Sequence, residues 1–98
     1  MKVKTLEATT RQLEYALRKL EGRQHDSVPF NMLAHRVQRQ YEVSISYRDE
    51  YVCLSMWRSD IAMMYDQYAK KDKLDEAIVR IVVWAYVGNE IEIPEELL

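Results

Sequence analysis

Glycine, proline and cysteine are scarce in this chain of 98 residues, which contains two, two and one of them. Because Gly22 and Gly88 are the only glycines, a glycine-rich phosphate-binding loop is excluded. The single cysteine, Cys53, excludes an intramolecular disulfide, and small secreted folds often depend on several. We therefore expect an intracellular, cytoplasmic protein that is stabilised by an apolar core.

Long apolar runs and metal-ligand motifs are also missing. No apolar run approaches the roughly 20 residues of a membrane-spanning helix, so we predict no membrane contact. His25, His35 and Cys53 lack the spacing of a zinc site. A chain this short can hardly enclose a large ligand pocket. We therefore predict no metal, no cofactor and no catalytic residues, and we expect a binding protein rather than an enzyme.

The length and composition are those of one small domain. Ninety-eight residues with 48% hydrophobic content suffice for a single core and are too few for two. We predict one compact domain over residues 1–98 that ends in a short acidic tail over residues 90–98.

Charge is distributed unevenly along the chain. Residues 1–40 contain eight basic and four acidic residues, whereas residues 41–98 contain six basic and twelve acidic residues. The two parts therefore carry net charges of +4 and −6. Such asymmetry indicates contact with a charged partner or with a second copy of the chain.

Two amphipathic helices are predicted in the basic part. Apolar residues recur at helical spacing from Thr5 to Glu21, and Gly22 stands where a C-terminal cap belongs. After a polar loop, Asp26 or Ser27 can cap a second helix whose first turn accommodates Pro29. The short loop predicts an antiparallel helical hairpin.

Residues 41–57 alternate between apolar and polar side chains, which predicts a β-hairpin with its turn at Tyr47 to Glu50. Ser59 and Asp60 then resemble the start of a third helix. The segment Asp75 to Val87 is apolar nearly all round, which is typical of a helix in the centre of a core.

The tail alternates glutamate and isoleucine before Pro94, which indicates a short strand. Together these elements predict an α+β fold with an N-terminal helical hairpin, a central β-hairpin and two C-terminal helices.

The stretch Leu33 to Trp57 resembles the helix-turn-helix of some regulators and transposases. Leu33 and Ala34 match the first helix of that motif, and Val43 and Ser44 match its turn. The resemblance covers about a quarter of the chain and implies DNA binding. It leaves residues 41–57 open between a β-hairpin and part of a helix-turn-helix.

The chemistry of the motif favours a variant of it. In the helix-turn-helix alignment, Asp49 and Glu50 would face DNA phosphates, which weakens binding. A winged-helix arrangement instead uses the second predicted helix for recognition, with His35, Arg36 and Arg39, and the hairpin as the wing. The net charge of −2 lacks the basic excess typical of nucleic-acid-binding domains.

Amphipathic aromatic residues are abundant, with seven tyrosines and two tryptophans against one phenylalanine. Protein interfaces are enriched in tyrosine, tryptophan, methionine and arginine. On this basis we predict eight partner-binding residues, which are Arg36, Arg39, Tyr47, Arg48, Tyr51, Trp57, Met63 and Tyr68.

These observations favour a small accessory factor that binds a larger protein or complex and modulates or inhibits it. Compact chains of this kind resemble small accessory proteins of bacteria, phages and mobile elements, including inhibitors of host enzymes. A winged-helix or helix-turn-helix regulator that binds nucleic acid is the first alternative. The second is a self-assembling structural protein, in which the basic front of one copy meets the acidic back of another.

Overall fold

The computed structural model of the chain describes residues 1–22 and 28–98. The helices and strands are, in chain order, β1 (Lys2–Lys4), α1 (Thr10–Glu21), α2 (Phe30–Gln40), β2 (Ser44–Tyr47), β3 (Tyr51–Arg58), β4 (Met63–Lys70), α3 (Leu74–Tyr86) and β5 (Glu90–Glu92). The described strands form two antiparallel sheets, β2-β3-β4 and β1-β5. The predicted α+β class is therefore confirmed. His25 and the predicted caps Asp26 and Ser27 lie outside the described residues.

Helix α3 lies at the centre of the core, as its apolar sequence predicts. Seven of its 13 residues are buried, and they occupy most of the circumference of the helix. Helices α1 and α2 and strands β3 and β4 all pack against it. Asp75 and Glu76 lie in its first turn, where the helix dipole favours negative charge. A single apolar cluster joins these elements.

Helix α1 begins at Thr10 and not at Thr5, so the predicted start is wrong. Thr9 caps the helix: its hydroxyl accepts from the Gln12 amide at 3.3 Å, and the Gln12 side chain accepts from the Thr9 amide at 2.9 Å. This reciprocal cap stabilises the later start, and the preceding residues form a short 3-10 turn. Gly22 ends α1 with a φ of 69°, as predicted.

The β-hairpin predicted over residues 41–57 is confirmed by strands β2 and β3. Ile45 pairs with Leu54, and the Arg48 amide donates to the Tyr51 carbonyl across the turn at 2.9 Å. Because these residues form strands, the helix-turn-helix alignment of Leu33 to Trp57 is wrong. Of the nucleic-acid-binding alternative, only the winged-helix form therefore remains.

The segment predicted as a third helix is strand β4, so one helix and not two follows the hairpin. Ala62, with a φ of 52°, lies in the left-handed region just before the strand, where a right-handed helix cannot continue. Strand β4 then pairs with β3 along its whole length, with Leu54 opposite Gln67.

The two ends of the described chain form the small sheet β1-β5. Lys2 lies opposite Glu92, and Lys4 lies opposite Glu90. The N-terminal ammonium donates to the Glu92 carboxylate at 2.8 Å, and this bond holds the pKa of Glu92 below its ordinary value. The strand predicted in the acidic tail is confirmed, with Ile91 buried beneath it, whereas the pairing strand β1 was not predicted.

Truncation of α3 should show how far the fold depends on this helix. Ile81 is 0% exposed, so Ile81→Ala should lower the free energy of unfolding by about 2–5 kcal/mol. The matched change Ile61→Ala, at a residue that is 46% exposed in the β3–β4 turn, should cost less than about 1 kcal/mol. Urea unfolding followed by circular dichroism measures both. Equal losses would contradict a central role for α3.

Candidate functional site

The three-stranded sheet has two unlike faces. Val52, Leu54 and Met56 alternate along β3 on the inner face and are buried, where the strand packs against α3. The side chains between them point to the opposite side. We call that side the outer sheet face, and the pairing of the strands gives its members as Ser44, Ser46, Tyr51, Cys53, Ser55, Trp57, Met64, Asp66, Tyr68 and Lys70.

Large apolar side chains occupy both ends of the outer sheet face. At one end the rings of Tyr51 and Tyr68 meet edge to face, with centroids 5.7 Å apart. At the other end Trp57 lies directly opposite Met64. Tyr68 is 70% exposed and Trp57 is 53% exposed. These are apolar groups that the fold places in solvent although its core lies on the other side of the same strands.

The centre of the outer sheet face is polar. The Ser55 hydroxyl donates to the Asp66 carboxylate at 2.9 Å, and Ser44 lies opposite Ser55 on the other neighbouring strand. Tyr51 and Trp57 are six residues apart on β3, which corresponds to about 20 Å. The surface therefore consists of two apolar ends joined by a short hydrogen-bonding centre.

The structure brings three predicted contact residues together on this surface, namely Tyr51, Trp57 and Tyr68. Tyr47 lies opposite Val52, and Met63 lies opposite Arg58, so both have inner-face positions but are exposed at the margins of the sheet.

Arg48 is exposed in the turn next to Tyr51. Sequence reasoning missed Ser55, Asp66 and Lys70, and the last two lie on strand β4, which was interpreted as a helix. A strand interpretation of residues 63–70 would have placed Asp66 and Lys70 on this face.

Arg36 and Arg39 lie elsewhere, on α2. The Arg36 guanidinium donates to both carboxylate oxygens of Glu21 at 2.6 and 3.2 Å, and the Tyr41 hydroxyl donates to the same carboxylate at 3.0 Å. The Glu21 side chain is only 6% exposed. Arg36 therefore ties α2 to the end of α1, whereas Arg39 is exposed. Burial and the hydrogen bond to Glu21 raise the pKa of Tyr41 to about 12.

A second surface feature runs along the exposed side of α2. An open depression of about 800 Å³ has described walls that all belong to this helix. Its polar lining includes Asn31, His35, Gln38 and Arg39. These side chains can donate to and accept from a polar ligand. His35, Arg36 and Arg39, which the winged-helix alternative would use, all line the depression.

The described residues offer surfaces for binding, and they contain no group of three or more histidine, cysteine, aspartate or glutamate side chains placed to hold a metal ion. None of the described helices has the length and apolar character needed to cross a membrane. Comparison of the chain with protein-family models, curated proteins and solved structures finds no match.

The contact between Tyr41 and Glu21 predicts a loss of stability in alkaline solution. The folded-state pKa of about 12 exceeds the ordinary value of 10.0, so this contribution is fully present below pH 10 and is lost as the pH rises toward 12. Tyr41→Phe lacks the titrating group. The stability difference between the wild type and this variant should therefore shrink over that range in urea unfolding at each pH. A difference that stays constant would contradict the assignment.

Proposed function

We propose that this chain is a small cytoplasmic protein-binding factor that modulates or inhibits a larger protein or complex, and that it uses the outer sheet face to do so. The exposed aromatic residues on that face are the observation that carries the proposal. An antiparallel sheet that is covered on one side ordinarily presents polar side chains on the other. Here the outer side also presents apolar residues, in two groups at its ends, and exposed apolar groups with a polar surround are typical of interaction sites.

The energy available on this surface suits a protein partner. Tyrosine and tryptophan each bury about 150–250 Å² in a complete contact. Trp57 and Tyr68 are each exposed by half or more, so covering them removes roughly 100 Å² apiece from water, which is worth roughly 2–3 kcal/mol per residue. Trp57 and Tyr68 lie on neighbouring strands about 14 Å apart, which is within the spread of a standard protein interface, where a few aromatic residues supply most of the affinity.

The shape of the surface also favours a protein partner over a small molecule. Its residues lie along three strands and spread their side chains over a sheet, whereas small-molecule sites are concave and enclose the ligand. The carboxylate of Asp66 at the centre can accept a hydrogen bond from a partner group that approaches between the two apolar ends. In this proposal the chain acts by occupying a surface of its target, as small inhibitors encoded by phages or mobile elements do, and it is not an enzyme.

Three single substitutions test the surface. Trp57→Ser and Tyr68→Ser should each weaken binding to a partner recovered from lysate at low salt by at least about tenfold, because each removes an anchor. Tyr47→Ser is the matched control, since Tyr47 is equally exposed but lies at an inner-face position. Its affinity should stay within about twofold of wild type. Isothermal titration calorimetry measures the affinity of the wild type and of the three variants for the partner. Equal affinities for the four would refute the assignment of the outer sheet face.

Nucleic-acid binding by α2 is the second candidate function, and the depression along this helix favours it. Asn31, His35 and Arg39 are exposed there, and the β2–β3 hairpin follows α2 in the chain, which is the order that the winged-helix alternative needs for its wing. Asparagine and arginine side chains are suited to contacts with base edges and phosphates.

Charge reversal on α2 tests this second candidate. If α2 contacts DNA, Arg39→Glu should reduce duplex binding in a gel shift and lower the dependence of log affinity on log salt by about one unit. Arg11→Glu, the same change at an exposed position of α1, is the control for general charge. Equal losses in both variants would indicate non-specific attraction, and no shift with wild type at low salt would exclude the candidate.

A further inference from the structure

Strand β4 forms an edge of the three-stranded sheet. Among the described residues, β4 pairs with β3 alone, and none of its backbone groups is bonded to another element on the far side. Proteins usually protect such edges with proline, charged side chains, a bulge, a covering segment or a very short strand, and of these β4 has the charged side chains Asp66 and Lys70. Strand β4 has eight residues, contains no proline and pairs with β3 in an unbroken register.

The turn of the hairpin determines which residues of β4 have free backbone groups. Arg48 and Tyr51 are hydrogen-bonded across the turn, and hydrogen-bonded pairs then alternate along an antiparallel ladder. Tyr51, Cys53 and Ser55 therefore bond to β2, and the residues between them on β3 bond to β4. On β4 the backbone amide and carbonyl groups of every second residue then point away from β3, and these residues are Met64, Asp66, Tyr68 and Lys70. Their side chains belong to the outer sheet face.

We propose that this edge pairs with the same edge of a second copy of the chain, antiparallel across a two-fold axis at Tyr68. In that register Asp66 faces Lys70 of the partner subunit, and Lys70 faces Asp66 of the partner subunit. The two tyrosine rings meet at the axis, and the two sheets become one sheet of six strands. This inference goes beyond the proposed function, because it uses the backbone edge of β4 and a second copy of the chain, although Asp66, Tyr68 and Lys70 also belong to the outer sheet face.

Charge selects this register over its neighbours. An axis at Asp66 would place two carboxylates directly opposite each other, which destabilises a pair of strands. An axis at Gln67 would place Asp66 opposite Tyr68 and Lys70 opposite Met64, so no opposite charges would face each other. Only the axis at Tyr68 pairs each charge of the edge with an opposite charge. Within one copy, Asp66 and Lys70 are four residues apart on a strand, about 13 Å, which is too far for a contact between them.

The second copy is a better occupant of this edge than an unrelated strand. Asp66 and Lys70 lie at equal distances on either side of Tyr68, so the edge is complementary to itself under a two-fold rotation. Closed two-fold dimers are the commonest assemblies of identical chains, and their interfaces have this self-complementarity.

Two charge reversals and their mixture test the proposal. The wild type should dimerise in a concentration-dependent manner in sedimentation or light scattering over roughly a hundredfold dilution. Asp66→Lys places two lysines opposite each other, and Lys70→Asp places two aspartates opposite each other. Each variant alone should therefore show a dimer dissociation constant at least about tenfold weaker than wild type. An equimolar mixture of the two should restore the dimer, because every lysine then faces an aspartate.

Restoration in the mixture also shows that both variants are folded, and circular dichroism provides a second check. A wild type that stays monomeric at every concentration would overturn the proposal. So would variants that dimerise as tightly as wild type, or a mixture that is no more associated than its components. Trp57→Ser leaves the β4 edge intact, so this variant should still dimerise. That result separates the dimer from the proposed function of the outer sheet face.

Discussion

The burial of α3 is the constraint on which the rest of the structure depends. A helix that is apolar nearly all round must be covered on every side, and a short chain has few elements with which to do so. Helices α1 and α2 cover part of α3, and the inner faces of β3 and β4 cover another part. All of these elements are used for this purpose, so no described element covers the outer side of the sheet. The outer sheet face stays exposed because the other elements are needed to cover the central helix.

The uneven charge of the sequence has a different meaning once the fold is known. Much of the positive charge of the first part is bound within the chain, as in the ion pairs of Arg18 with Glu14 and of Arg36 with Glu21. Lys2 and Lys4 face Glu92 and Glu90 across the small sheet, so the basic start and the acidic tail meet in one copy. The polarity along the chain therefore serves in part to join distant segments.

The sequence correctly predicted the elements whose hydrophobic pattern results from burial in the core alone. Helix α3 is apolar because it is central, and β3 alternates because Val52, Leu54 and Met56 face the core while their neighbours do not. Strand β4 was missed because both of its faces carry apolar residues: Tyr65 packs inward, whereas Met64 and Tyr68 point outward. Together with Ile61, the residues Met64, Tyr65 and Tyr68 also have the spacing of an apolar stripe along one side of a helix. The outward apolar residues of the proposed binding surface are therefore the residues that gave this strand a helical pattern in the sequence.

Other errors have similarly local causes. The start of α1 was placed too early because Leu6 has the right spacing for the helix, although the reciprocal cap of Thr9 and Gln12 determines where the helix begins. Strand β1 has only three residues, and its pairing with β5 is a contact between segments some 90 residues apart. No local pattern in three residues reports such a contact. The candidate site was predicted in part, through its aromatic residues, because side-chain chemistry can be recognised without knowledge of the strand that carries it.

The small sheet β1-β5 has a mechanical consequence. Its two strands are antiparallel, with Lys2 opposite Glu92, so the outward ends of the chain leave the sheet from the same side. A force that pulls those ends apart loads the hydrogen bonds between the strands one after another, as in a zipper, and not all together in shear. The small sheet itself should therefore open at low force, whereas the tail beyond it is held by the buried Ile93 and by the Gln12 side chain, which donates to the Leu97 carbonyl.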